Sequence, residues 1–354
     1  MSLSPPRGAV CKAARAPLYS TVTLVHSATG HGTPGHSATG NRAVRPRRNV
    51  RENPVPAPLA VDSPSPGRRL REAAAAGTLQ IPGAFNAATA RLIEQAGFRA
   101  LYLSGAAFSA GVLALPDIGL FTLTELATQT AFITRRTELP LIVDADTGFG
   151  AAVNVERTVR ELEAAGAAAI QLEDQQLPKR CGHLSGKSLV DSDEMCAKIR
   201  AAVAARRDPN LVILARTDAR GVYDFDDAVR RAKAYVAAGA DWIFPEALAN
   251  RDEFARFARE VPVPLIANMT EFGKSALVPI SEFTELGYAG VLYPVTLFRL
   301  AMKAVEEGLA ALKTDGDQRE LLAKMQTRQE LYDLLGYTGY EARDRAYFRP
   351  EAST

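Results

Sequence analysis

Cysteine is scarce in this 354-residue chain, and Cys11, Cys181 and Cys196 form neither a C-x-x-C pair nor a disulfide framework. A disulfide-stapled fold and a structural zinc site are excluded on that ground, and a reducing compartment is the simplest expectation. Long apolar runs are missing as well. No stretch reaches the roughly 18–20 uninterrupted apolar residues of a spanning helix, so no membrane partner is expected. Acidic residues are absent from positions 1–51, which carry eight basic ones; the rest holds 34 basic against 40 acidic residues, a net −6 beneath the overall +2. That mildly acidic body argues against nucleic acid as a partner. Phosphate signatures are also lacking, with no Walker A sequence and no G-x-G-x-x-G after a strand. No lysine stands at an expected strand end, which disfavours Schiff-base chemistry.

What is present divides the chain in two. Residues 1–66 are rich in Pro, Gly, Ser and Thr, repeat His-Ser-Ala-Thr-Gly at 26–30 and 36–40, and read as a disordered basic tail. Cytoplasm is the expected location, with the mitochondrial matrix as the alternative if this acid-free tail is a transit peptide. Over 67–354, short Val/Ile/Leu-rich runs alternate with Ala/Glu/Arg-rich stretches of helical period, which predicts βαβ units and a parallel sheet. Eight strands are expected, at 79–84, 100–104, 139–144, 168–173, 211–216, 242–246, 264–268 and 290–293. The fold class expected is α/β, a (β/α)8 barrel with extra C-terminal helices, with a doubly wound open sheet as runner-up. The barrel is favoured because Ser104, Asp144, Asp146, Glu173, Arg216, Asp218, Glu246, Asn268 and Thr270 fall at or just beyond strand ends, which a barrel gathers at one face.

Asp144 and Asp146, two apart at a strand end, are expected to project together and suit a hard cation such as Mg2+; the alternative is a pair of turn aspartates. Glu173 and Asp174 add acids to the same mouth, which would repel one another without a cation among them. The long loop after them carries Lys179-Arg180-Cys181-Gly182-His183, a candidate lid. There Lys179, Arg180, His183 and Lys187 are expected to surround Cys181 with positive charge, making it a better proton donor or nucleophile, whereas Cys196 reads as packing. Arg216, Arg299 and Arg328, with Asn268 and Thr270, are candidate carboxylate grips, and Ser104-Gly105-Ala106 offers a hydroxyl and backbone amides. A metal site, a proton-donating cysteine and several carboxylate grips suit a polycarboxylate whose carbon–carbon bond is broken or made through a metal-stabilised enolate.

These residues stand within a longer ordered set of motifs. From about residue 70 onward come Leu-Ser-Gly at 103, Leu-Pro-Asp-Ile-Gly at 115, Asp-Ala-Asp-Thr-Gly-Phe-Gly at 144, Gln-Leu-Glu-Asp-Gln at 171 and Lys-Arg-Cys-Gly-His at 179. Ala-Arg-Thr-Asp at 215, Phe-Pro-Glu-Ala at 244, Asn-Met-Thr-Glu-Phe-Gly at 268, Leu-Tyr-Pro at 292 and Met-Gln-Thr-Arg-Gln-Glu-Leu-Tyr at 325 follow. Together they resemble the isocitrate lyase and phosphoenolpyruvate mutase superfamily. The lid cysteine points to its lyase branch, nearest to the enzymes that split 2-methylisocitrate in the methylcitrate cycle of propionate catabolism. Isocitrate, a substituted malate or oxaloacetate are the alternative substrates, and a non-catalytic scaffold is the alternative of another class.

The resemblance implies a barrel whose eighth helix swaps between subunits of a homotetramer, and reversible cleavage of a tricarboxylate to pyruvate and succinate. It implies that Asp144 and Asp146 hold Mg2+, with Glu173 and Asp117 nearby, and that Ser104, Gly105 and Ala106 contact the fragment that becomes pyruvate. It makes Cys181 the residue that protonates the succinate enediolate, under a lid shaped by Gly182 and His183. Arg216, Glu246, Asn268, Thr270, Arg299 and Arg328 grip the remaining groups, and Tyr102 is the implied base. Phe244 stands where isocitrate lyases have a tryptophan and leaves room for a methyl group, worth about 1–3 kcal/mol of discrimination. Ala106 replaces a usual glycine, so its methyl is expected to crowd the substrate carboxylate or to occupy a glycine-only backbone angle.

Overall fold

The computed structural model describes residues 64–182 and 186–348. Residues 1–63 of the expected tail, and His183, lie outside the described residues. The first helix, α1 (Pro66–Ala75), is capped by Ser65, whose Oγ accepts from the Arg68 amide at 3.3 Å.

Strands and helices then alternate. β1 (Leu79–Pro82) and α2 (Ala87–Gln95) lead to β2 (Leu101–Leu103), which is followed by α3 (Gly105–Leu113) and α4 (Leu123–Thr134). Next come β3 (Leu141–Asp144), α5 (Ala152–Ala164), β4 (Ala169–Glu173), α6 (Ser192–Ala205) and β5 (Val212–Thr217). The short α7 (Ala219–Val222) and α8 (Phe225–Ala237) precede β6 (Trp242–Pro245), α9 (Arg251–Glu260), β7 (Ile266–Asn268), α10 (Ile280–Glu285) and β8 (Gly290–Tyr293). After β8 come α11 (Thr296–Asp315), a 3-10 turn, α12 (Arg328–Leu335) and α13 (Tyr337–Tyr347). Gly97, Gly166 and Gly239, just past α2, α5 and α8, take φ of +86°, +94° and +109°, as expected of helix-terminating glycines.

Neighbouring strands pair in parallel in sequence order from β2 to β6, and β7, β8 and β1 form a second run. Parallel bridges Gly83↔Tyr102 and Ile243↔Leu265 join the two runs, so the eight strands close into one barrel and the open sheet is eliminated. Strand residues alternate between two cores. Leu101, Leu103, Val143, Ile170, Leu172, Ile213, Ala215 and Ile243 pack outward among the helices. Leu79, Ile81, Tyr102, Ile142, Ala169, Val212, Leu214, Trp242, Phe244, Ile266 and Leu292 fill the barrel. Period two then carries the inner face from apolar residues to polar ones at the strand ends: Ile142 to Asp144, Ala169 to Gln171 and Glu173, Leu214 to Arg216, Phe244 to Glu246, Ile266 to Asn268. This places the polar groups on a floor of close-packed side chains.

Candidate active site

At that end of the barrel lies a cavity with about 600 Å³ of empty space, counting the solvent at its mouth. Tyr102, Ser104, Ala106, Asp117, Asp144, Lys179, Cys181, Gly182, Arg216, Phe244, Glu246, Asn268, Thr270 and Arg299 line it. Most of the side chains expected from the sequence are therefore brought together. Arg328 is not: it is exposed in the first turn of α12 and is not among the lining residues.

The two aspartates converge by a different route from the one expected. β3 ends at Asp144, and Asp146 has a φ of +48°, so a tight turn rather than extended alternation re-aims it. A Cβ added at Gly105 would come within 3.1 Å of Asp146 Oδ1 and 3.2 Å of Asp144 Oδ2, so both carboxylates face the Gly105 backbone. The Gly105 amide donates to Asp144 Oδ2 at 3.1 Å, and the Gln171 amide nitrogen donates to Oδ1 at 2.9 Å. Ser104 caps α3, its Oγ accepting from the Ala107 amide at 3.3 Å. Ala106 lies in the first turn of that helix and is not among the residues of positive φ, so the glycine-only angle is not required. Its side chain faces the cavity.

Lys179 accounts for the cluster's charge. Its ammonium contacts Asp117 closely and lies 2.6 Å from Asp146 Oδ1. Burial by itself would lower this ammonium's pKa; Asp146 and then Glu173 outweigh that and hold it well above the usual lysine value. Burial lifts the Asp146 carboxyl to about 7 against the pull of Lys179, and lifts Glu173 well above its ordinary range against Arg216. Lys187 likewise donates to Asp218 Oδ1 at 2.7 Å and contacts the Gly182 carbonyl. Both lysines thus neutralise acids, so the expected ring of positive charge around Cys181 is reduced. Asp174 does not join the mouth either. One residue beyond Glu173, it faces the other side of β4, accepting from Thr217 Oγ1 at 2.8 Å, Tyr235 Oη at 2.7 Å and the Asp218 amide at 2.9 Å.

Arg216 is the hub of the opposite wall. Its guanidinium lies 2.9 Å from Asp218, 3.2 Å from Glu246 and 3.3 Å from Glu173, with its carbon 5.2 Å from the centre of the Phe244 ring. Asn268 Nδ2 donates to Glu246 Oε2 at 3.2 Å. Tyr102 donates its hydroxyl to Gln171 Oε1 at 2.8 Å. Burial, and then the Asp144 carboxylate, push the phenol's pKa well up against the pull of Arg216, so Tyr102 stands protonated at neutral pH and in that state is not the base that the resemblance implies.

The lid meets this wall at Gly182. A Cβ there would fall 2.4 Å from Arg216 Nη2 and 2.5 Å from Glu246 Cδ. Gly182→Ala is therefore expected to displace the Cys181 segment and lower kcat/KM by about 10²-fold, with little change in melting temperature. Steady-state kinetics beside a thermal melt checks this, and wild-type kinetics would show that the lid tolerates the methyl. Upstream, the Gln175 side chain clasps Arg180, donating to its carbonyl at 2.8 Å and accepting from its amide at 2.9 Å. Sequence reading missed Gln171, Gln175 and the destination of Lys179. The first two lie in the quoted Gln-Leu-Glu-Asp-Gln motif, where the period of β4 puts Gln171 on the same face as Glu173.

Asp146 Oδ2 and Glu173 Oε1 are buried with no hydrogen-bond partner among the described residues, an arrangement of hard oxygen donors that fits Mg2+. No group of three or more His, Cys, Asp or Glu among the described residues already stands in a ligating array; the Lys179 ammonium bridges Asp117 and Asp146 instead.

Residues 68–313 match the family model described as phosphoenolpyruvate phosphomutase. The chain is 57% identical over 280 residues to a 2-methylisocitrate lyase of Aeropyrum pernix, covering 79% of this chain and 90% of that one. A 2,3-dimethylmalate lyase structure superposes with a TM-score of 0.76 at 33% identity, covering 81% of this chain and 96% of that one. A phosphonopyruvate hydrolase solved with oxalate and Mg2+ superposes with a TM-score of 0.73 at 33% identity, covering 81% and 100%. By the family model that spans residues 68–313 and by these likenesses, the chain belongs to the phosphoenolpyruvate phosphomutase family, within the PEP mutase/isocitrate lyase superfamily.

Proposed function

We propose that this protein is a Mg2+-dependent carbon–carbon lyase that splits 2-methylisocitrate into pyruvate and succinate, the step expected of it in propionate catabolism. The observation that carries the reading is the Cys181 thiol, which stands in no disulfide and lines the same cavity as the buried Asp144 and the partly buried Asp117. In cleavage the substrate hydroxyl gives its proton to a carboxylate lining the cavity and its C–O becomes the pyruvate carbonyl, the bond between that carbon and its neighbour breaks, and the electron pair stays with the succinate fragment. That carbon needs a proton, and Cys181 is placed on the lid to deliver it. Asp144 and Asp146 would hold Mg2+, with Glu173 and Asp117 beside them; bound there, the ion supplies a Lewis acid that acidifies the substrate hydroxyl. Tyr102 and Ser104 face the hydroxyl end, while Arg216, Asn268, Thr270 and Arg299 present donors to the carboxylates. The Mg2+ in the phosphonopyruvate hydrolase structure supports the metal assignment.

The test is to supply 2-methylisocitrate or isocitrate with Mg2+ or with EDTA and to quantify pyruvate, glyoxylate and succinate. Equal pyruvate and succinate from the methylated substrate are expected, abolished by EDTA, with isocitrate slower by about 10–200-fold. Absence of pyruvate would assign the site to another acid, a substituted malate first.

We also place the protein in a homotetramer. The 20-residue α11 has no buried residue in the described chain, with Leu300 and Leu309 63% and 61% exposed, an unpaired apolar face that suits exchange with a neighbour. Light scattering at four times 38.0 kDa tests this. We propose a cytoplasmic location, with the mitochondrial matrix as the alternative if residues 1–66 are a transit peptide; cell fractionation distinguishes them.

A further inference from the structure

Gln171 is fully buried behind the cavity wall and joins two residues that line it. Its amide nitrogen donates to Asp144 Oδ1 at 2.9 Å, and its carbonyl oxygen accepts from the Tyr102 hydroxyl at 2.8 Å. The order of these bonds cannot be reversed. An ionised carboxylate only accepts, so it must face the NH2 end of the amide, which leaves the carbonyl end for Tyr102. A carbonyl has no proton to give, so the phenol is the donor. The phenol has one proton, and with that proton held by Gln171 only the oxygen's lone pairs remain for the cavity.

We propose that Gln171 is a positioning residue that fixes the polarity of Tyr102, making the phenol a hydrogen-bond acceptor toward the ligand and biasing the site toward 2-hydroxy acids over 2-oxo acids. The inference rests on the reading above in one respect: the ligand's carbon 2 oxygen lies at the Tyr102 end. A hydroxyl there donates to Tyr102. A keto oxygen, which only accepts, meets lone pairs and gains nothing. The contact is therefore made with the substrate alcohol and lost with the product ketone, which favours release of the ketone.

Lactate and pyruvate differ only in that group and serve as the probes. Their affinities are to be measured by calorimetry with Mg2+ present, for wild type, Tyr102→Phe, Gln171→Leu and the double variant. Tyr102→Phe is expected to weaken lactate about three- to tenfold and to change pyruvate less than about twofold. Gln171→Leu releases the phenol proton, so the lactate-to-pyruvate affinity ratio falls by a similar factor. In the Tyr102→Phe background the Gln171 substitution leaves the ratio unchanged, whereas a general disturbance of the pocket weakens both ligands together. Equal weakening of both ligands by Tyr102→Phe overturns the inference. Should Gln171→Leu fail to fold, Gln171→Met replaces it, and the Tyr102→Phe comparison decides by itself. Pyruvate release from 2-methylisocitrate with no change in the ratio sinks this inference alone; a changed ratio without such release sinks the substrate assignment and leaves the inference standing.

Discussion

Cys181→Ala is expected to lower kcat by about 10²–10⁴-fold while KM and Mg2+ affinity stay within about twofold, because it removes a proton donor and no binding group. Among the described residues no second thiol replaces it: Cys196 is buried and donates to the Ala234 carbonyl at 3.6 Å. The neighbouring ammoniums cannot substitute either, since Lys179 is held by Asp117 and Asp146 and Lys187 by Asp218. The decisive measurement is exchange of succinate C–H protons with D2O in the presence of pyruvate and Mg2+. Wild type should catalyse exchange and the variant should not. Near-normal turnover or exchange in Cys181→Ala would remove the thiol as the acid.

Arg216→Met should cost both stability and activity. Three buried carboxylates surround this guanidinium, and after its loss they differ in what remains. Asp218 keeps Lys187 at 2.7 Å, and Glu246 keeps Asn268 and the Ala247 amide at 3.0 Å. Glu173 keeps no hydrogen-bond partner among the described residues, since its Oε1 already has none and its Oε2 lies 3.3 Å from Arg216; only the charge of Lys179 remains to it. Breaking a buried pair from one side costs about 3–5 kcal/mol, which lowers the melting temperature by roughly 10 °C for a chain of this size. Turnover should fall by more than about 10²-fold through lost carboxylate binding. Arg216→Lys should recover part of the melting temperature and little activity, because an ammonium restores the charge but not the planar fork that reaches three acids at once. A melting temperature for Arg216→Met within about 2 °C of wild type would show that the acids protonate at little cost and that Arg216 is not their keystone.

The strands were legible because a parallel barrel buries both faces of each strand, so Leu141–Asp144 or Val212–Thr217 reads as a continuous apolar run ended by a charge. Asp144, Glu173, Arg216 and Glu246 were legible for the same reason, since closure brings strand ends to one mouth. Asp174 was misplaced because sequence adjacency to Glu173 hides the reversal of direction between successive strand residues. Asp146 was placed at the right site through the wrong geometry, since a left-handed turn cannot be told from an extended end in the sequence. Arg328 lies beyond the last strand, where no barrel register constrains it, and the described chain does not bring it to the cavity.

The sequence by itself determined the order of strands, the kinds of donor and acid each strand end would carry, and the family to which those motifs belong. These follow from local periodicity and residue chemistry, which require no knowledge of distant contacts. Only the tertiary structure decided which charges meet. Lys179 reaches acids 33 and 62 positions away, Gln171 aligns Tyr102 with Asp144, and Gly182 sits where no side chain fits against Arg216 and Glu246. Pairings of that kind are settled by barrel closure and by the cost of leaving a buried charge unpaired, quantities that belong to the folded chain as a whole.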